Sequence, residues 1–172
     1  GHKLRREWLG EVLRGKERVR PYLKTRMPSY HSHANRLADL LTKEDAKPAA
    51  KPIAMVQDVS TGKKLLGTHG GVNCIACHRW GDKPSLGIQA MDLREIDRRL
   101  RPEWFRTYLL NPADYRPGTL MPPLWPEGRS SVPDVLGGDT EKQIGAIWAF
   151  IERGEGEPEG MATQMTGAFE LI

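Results

Sequence analysis

The chain has 172 residues, 38% of them hydrophobic and 28% charged, with a net charge of +4, enough for one ordinary domain or one and a half small ones. Aromatic residues make up only 7%, against 18 glycines and 13 prolines, so much of the chain is expected as loop rather than as a large aromatic core. No apolar stretch reaches the roughly 18 residues of a membrane span, and Gly1-His2-Lys3-Leu4-Arg5-Arg6 is not followed by the apolar run of a signal peptide, so the chain reads as a mature or excised piece.

Residues 1–26 hold nine Lys/Arg against three Glu. Such a basic lobe can steer an acidic partner or a nucleic acid. Here the charges are mixed with Trp8, Leu9, Val12 and Leu13 at helical spacing, the pattern of a solvated helix face, and no nucleic-acid role is expected. Glu7 to Leu13 is predicted as a short amphipathic helix and Asn35 to Leu41 as another. Lys47-Pro48-Ala49-Ala50-Lys51-Pro52 has the composition of a linker, because its prolines forbid helix and its other residues are small or charged. A helix from Met55 to Gly67 follows, with Met55, Val56, Val59, Leu65 and Leu66 on its apolar side. It leads through Gly70-Gly71 into Cys74-Ile75-Ala76-Cys77-His78.

That pentapeptide is the most informative part of the chain. Residues three apart on a helical turn share a face, so Cys74 and Cys77 can reach one edge of a porphyrin while the adjacent His78 faces its iron; the spacing is that of covalent c-type haem attachment. The chain has no other cysteine, which excludes a four-thiolate zinc site. A thioredoxin-like dithiol would follow a strand, whereas Thr61-Gly62-Lys63-Lys64-Leu65-Leu66 is helical in pattern. Haem attachment to paired cysteines takes place outside the cytoplasm, so a periplasmic or otherwise extracytoplasmic location is expected.

Residues 79–91 read as a loop. Asp92 is predicted to cap a helix running to Leu100, and Pro102 opens the next, Glu103 to Leu110, which stops at Asn111-Pro112. Residues 113–137 are proline-rich and without periodicity. Asp139 or Thr140 starts a final helix with Ile144, Ile147, Trp148 and Ile151 on one stripe. Gly154-Glu155-Gly156-Glu157-Pro158-Glu159-Gly160 reads as a second, acidic linker.

An internal repeat runs across these segments. Arg6-Glu7-Trp8-Leu9, then Arg20-Pro21, then Arg26-Met27-Pro28 echoes Pro102-Glu103-Trp104-Phe105, then Arg116-Pro117, then Leu120-Met121-Pro122; Trp and Arg are twelve residues apart in both copies. The first copy has no cysteine motif ahead of it. Met121 is the expected sixth ligand of the iron, because Pro117, Pro122 and Pro123 restrict its loop and reduce the ordering entropy of holding a thioether in place. Met27 is its rival, followed by His31, His33 and His69. Met91 is expected to pack in the core. His78 needs an acceptor for its other ring nitrogen, expected from a carbonyl of Lys83-Pro84-Ser85-Leu86, and Arg98, Arg99, Arg101 and Arg106 are available to the propionates.

Gly62-Lys63-Lys64-Leu65-Leu66, the cysteine motif, Glu103-Trp104-Phe105 with Leu109-Leu110-Asn111-Pro112, and Pro117-Gly118-Thr119-Leu120-Met121-Pro122-Pro123 resemble a class I, mono-haem cytochrome c domain over about residues 54–153. The resemblance implies an all-α small cytochrome c fold with crossing terminal helices, one haem c on Cys74 and Cys77, iron between His78 and Met121, and one-electron transfer without catalysis. Its partner would be a redox protein or an adjacent redox domain of a larger multidomain cytochrome. The expected organisation is 1–45 as a helical half-domain without its own haem motif, 46–53 as a linker, 54–153 as the haem domain and 154–172 as an acidic tail. The competing expectation is a haem sensor or enzyme-like site whose sixth position is open or easily vacated.

Overall fold

The computed structural model describes residues 1–17, 24–48 and 50–161. Arg20-Pro21 of the first repeat copy and Met165 lie outside the described residues. The described chain is all-α, with no strand: α1 (Arg6–Leu13), α2 (Ala34–Glu44), α3 (Val59–Leu66), α4 (Ile96–Arg99), α5 (Pro102–Leu110), α6 (Pro112–Tyr115) and α7 (Thr140–Arg153) are joined by loops and short 3-10 turns.

The helix limits follow from their caps. Asp58 accepts from the backbone N–H groups of Ser60 (2.9 Å) and Thr61 (3.4 Å), so α3 starts at Val59 rather than at Met55, which is left 91% exposed ahead of the helix. Asp139 accepts from Lys142 N–H to open α7, and Gly154, at φ 64°, closes it by donating to the Phe150 carbonyl. Pro102 occupies the first turn of α5, where a missing N–H does no harm.

The main core forms where α3 crosses α7. The crossing is close because Gly62 has no side chain: a Cβ there would strike the Ala146 carbonyl oxygen and the Phe150 Cβ. Leu65, Leu66, Ile144, Ile147, Phe150 and Ile151 are buried around the crossing, Phe105 packs on Trp148 at 5.1 Å, and Trp80 stacks on Phe150 at 5.1 Å and 16°. A second, small cluster of Leu13, Ala34 and Ala38, edged by Leu9 and Leu37, holds α1 to α2. This pair is fastened to the main body by an antiparallel ribbon, with Arg5 N–H donating to the Arg99 carbonyl and Arg101 N–H to the Lys3 carbonyl, both at 2.9 Å.

Both segments with linker composition make contacts. Ile53 packs against the main core, and Lys51 meets Glu141 at 3.2 Å. Residues 154–161 fold back over the loops: Trp80 Nε1 donates to the Gly156 carbonyl (2.9 Å), Lys83 pairs with Glu157 (2.6 Å), Glu159 bonds Lys63 and Thr68 through its backbone, and Met161 is buried. Glycine and proline excluded helix here without excluding packing, because the neighbouring loops supply partners for the backbone.

Candidate cofactor site

The cysteine motif is delivered by the end of α3. Val72 N–H returns to the Leu65 carbonyl (2.8 Å) and Asn73 N–H to the Gly67 carbonyl (3.2 Å), folding the chain against the helix it has just left. Gly71 sits against the Lys64, Gly67 and Leu65 carbonyls, where no Cβ has room, and this is the physical demand behind the Gly70-Gly71 pair. Cys74–Ala76 is a 3-10 turn, extended by Cys77 N–H (3.2 Å) and His78 N–H (2.9 Å), which both donate to the Cys74 carbonyl. One turn therefore carries both thiols and the imidazole.

The loop after His78 is pinned to this turn rung by rung. Leu86 N–H donates to Ile75 (3.0 Å), Ala90 N–H to Cys77 (2.7 Å) and Leu93 N–H to Arg79 (3.1 Å). Asp92 does not cap a long helix: its carboxylate accepts from Gly81 N–H and Arg94 N–H, both at 2.9 Å, and closes this loop instead, leaving α4 only four residues long. The loop brings the Met91 carbonyl to 2.9 Å from His78 Nδ1. The acceptor is thus Met91, not a carbonyl of residues 83–86, and the Met91 side chain is 43% exposed rather than in the core, because its backbone is what the fold holds.

A carbonyl can only accept, so Nδ1 carries the proton and Nε2 presents its lone pair. Burial lowers the His78 pKa, partly opposed by the Met91 bond, so the ring is neutral at pH 7. The Cys74 thiol packs against the main core, and desolvation pushes it up to about 12, with Cys77 adding to the rise. Burial in apolar surroundings keeps Cys74 protonated.

Met121 packs against the same core as Cys74. Its N–H is held by Thr119 Oγ1 (3.2 Å), with Gly118 at φ 77° making the turn before it. The far side of the loop is anchored by Trp125, 1% exposed, whose Nε1 donates to Gln143 Oε1 at 2.8 Å. Gln143 is fully buried on α7 and satisfied four times over: it also accepts from Ser130 (2.7 Å) and donates to the carbonyls of Val132 (3.0 Å) and Val135 (2.7 Å). Sequence reasoning missed it, although an amide one helical turn before Ile147 on an apolar stripe was a signal for a buried polar hub.

The other candidates sit elsewhere. Met27 is 49% exposed and belongs to neither buried cluster, His31 and His33 lie on an exposed 3-10 turn, and His69 is exposed beside Thr68. Among the described residues no three His, Cys, Asp or Glu side chains group as a metal site. A cleft of about 220 Å³ between residues 54–57 and α7 contains none of the predicted ligands. Of the four arginines considered for propionates, Arg98 pairs with Glu17 (2.7 Å) and Arg106 with Glu141 in a two-pronged bridge (2.5 and 2.7 Å), so both are already committed.

Comparison with protein-family models, with curated proteins and with solved structures returned no match. Two thiols on one turn, an imidazole with Nδ1 occupied and Nε2 available, and a methionine packed on the same core as Cys74 form a donor set that suits covalent haem. Ile88 (59%), Met91 and Leu120 (81%) are exposed apolar side chains on the loops after His78 and before Met121.

Proposed function

We propose that the chain is a one-electron carrier of the mono-haem cytochrome c type, working in an extracytoplasmic redox system. The observation that carries this reading is the Cys74–His78 turn, in which the Met91 carbonyl orients His78 with Nε2 left for a metal. The crossing of α3 and α7 at Gly62 supports a small cytochrome c fold, since it is the arrangement of terminal helices that the sequence resemblance implies.

When bound, haem supplies the Fe(III)/Fe(II) couple. Cys74 and Cys77 would tether it through thioether bonds. His78 would donate through Nε2, and its Nδ1 bond to the Met91 carbonyl fixes the tautomer and would strengthen that donation. Met121 would hold the iron with its thioether, a soft donor that favours the reduced state. The buried Trp80, Phe105, Trp125 and Phe150 exclude water from the interior, which disfavours the extra charge of the oxidised site. Electrons pass to a redox protein or neighbouring redox domain.

Expression in a host competent for c-type maturation tests the reading. Intact mass should increase by one haem, and both cysteines should resist alkylation. The oxidised protein should show the weak red absorption band of methionine–iron ligation, and Met121→Ala should abolish it and lower the midpoint potential by on the order of 100 mV or more. Colourless protein with two alkylatable thiols defeats the proposal. Coloured wild-type protein lacking that band and binding cyanide promptly points instead to a labile sixth position.

A further inference from the structure

The repeat sets α2 in the position that α7 holds in the second copy. Trp8 of α1 matches Trp104 of α5, so Leu9 matches Phe105 and Leu13 matches Leu109. Leu9 and Leu13 cluster with Ala34 and Ala38 of α2, as Phe105 packs on Trp148 of α7. With Ala38 in the place of Trp148, Ala34 falls on Ile144, and all four are buried. The same register puts Arg36 on Ala146, Leu37 on Ile147, Leu40 on Phe150 and Leu41 on Ile151.

The two helices differ on the neighbouring face. On α7 it is closed by α3, whose Gly62 lies against the Ala146 carbonyl and Phe150; Ala146 and Phe150 are 0% exposed and Ile151 1%. On α2 the matching residues are open: Leu40 is 47% exposed and Leu41 48%. Arg36, Leu37 and Leu40 line a groove of about 420 Å³ together with Tyr30 and His33. Exposed apolar side chains rimmed by polar ones mark docking surfaces. Among the described residues Arg36 has no ion-pair partner, and the nearby carboxylate of Asp39 is already held by Arg6 at 2.7 Å.

We propose that this face of α2 is a docking groove for a short amphipathic helix of a protein partner, lying across α2 as α3 lies across α7 and presenting a carboxylate to Arg36. Its apolar stripe covers Leu37, Leu40 and Leu41, and its acid answers the guanidinium that stands where α7 has the small Ala146. A second copy of this face brings another Arg36 and no acid to the groove, and a flat bilayer surface leaves the groove unfilled. The docking rests on the repeat and on the open face of α2, not on the haem reading.

The probe is a synthetic peptide of residues 57–67 with Gly62→Glu, which puts a carboxylate at the crossing. An isolated helix this short is marginal in water, so a lactam between Ser60→Glu and Lys64 on its solvent side makes it helical before binding, as circular dichroism verifies. It is titrated into the isotopically labelled full-length chain, comparing wild type with Leu40→Asp, Arg36→Glu and a control on α7, Lys142→Gln; the substituted side chains of α2 are exposed, so each variant should keep the wild-type circular dichroism spectrum. Saturable binding that shifts the amide signals of residues 36–41, weakens roughly tenfold or more in both α2 variants and is kept in the control supports the groove. No binding, equal binding by all four proteins, or equal binding of the peptide that retains Gly62 overturns the proposal. A wild-type dimer that Leu40→Asp makes monomeric overturns it in favour of a second copy, and Leu40-dependent binding to vesicles of anionic phospholipid overturns it in favour of a membrane. Colourless protein defeats the function proposed above and leaves this titration to decide the groove.

Discussion

His78 and Asp58 show how single side chains set the geometry around the motif. His78 is oriented by a main-chain carbonyl, so substituting Met91 leaves the acceptor in place. The lever on His78 is Asp92, which ties Gly81 and Arg94 into the same loop. Asp58 governs where α3 begins, binding the Ser60 and Thr61 hydroxyls as well as their N–H groups (2.6 and 2.5 Å), and these bonds hold its pKa near 2 against an ordinary 3.8. Asp58→Ala should lower stability at pH 7 by about 1 kcal/mol, the usual worth of an N-cap. Because the folded-state pKa is depressed, the cap acts fully above about pH 4, and its contribution is lost as pH falls through about 2. Urea melts of both proteins at pH 7 and at pH 2 should therefore differ clearly at the first and much less at the second. The cluster of Cys74, Cys77 and His78 was legible because its three side chains lie within five consecutive residues. The Met91 acceptor was not, since thirteen residues of loop lie between it and His78 and only the backbone pairing of that loop brings them together.

At the scale of elements, two contacts carry the arrangement. The α3–α7 crossing depends on Gly62, where a methyl group would meet backbone of α7 and not a movable side chain. Gly62→Ala should cost about 2 kcal/mol or more, read as a lower urea midpoint with an unchanged m-value. The loop bearing Met121 depends on Gln143 of α7 in the same way. Gln143→Leu strands Trp125 Nε1, the Ser130 hydroxyl and two carbonyls, for about 3 kcal/mol. It should also speed amide hydrogen exchange across residues 119–125; normal exchange there would show that the hub does not position the loop. The helices were legible from apolar periodicity and caps, and most limits fell within a few residues. Gln143 was not, because a hub is defined by partners at residues 125, 130, 132 and 135 whose convergence no period announces.

For the molecule as a whole, the asymmetry between the two cores matters most. Leu13, Ala34 and Ala38 bury too little apolar surface to hold residues 1–45 alone, whereas the main core is built from some twenty buried side chains. A peptide of residues 1–45 should show no cooperative thermal transition, and the full chain should melt in one step; a folded peptide would mean that the ribbon is a mere tether. The sequence by itself determined the helical class, the cysteine–histidine motif and the repeat of Trp, Arg and Met, since all of these are written in local spacing. Tertiary structure alone decided that residues 154–161 pack back, that Met121 shares a core with Cys74 while Met27 is exposed, and that residues 3–5 pair with residues 99–101. Those outcomes depend on which distant surfaces find complementary partners, and burial is a property of the folded whole.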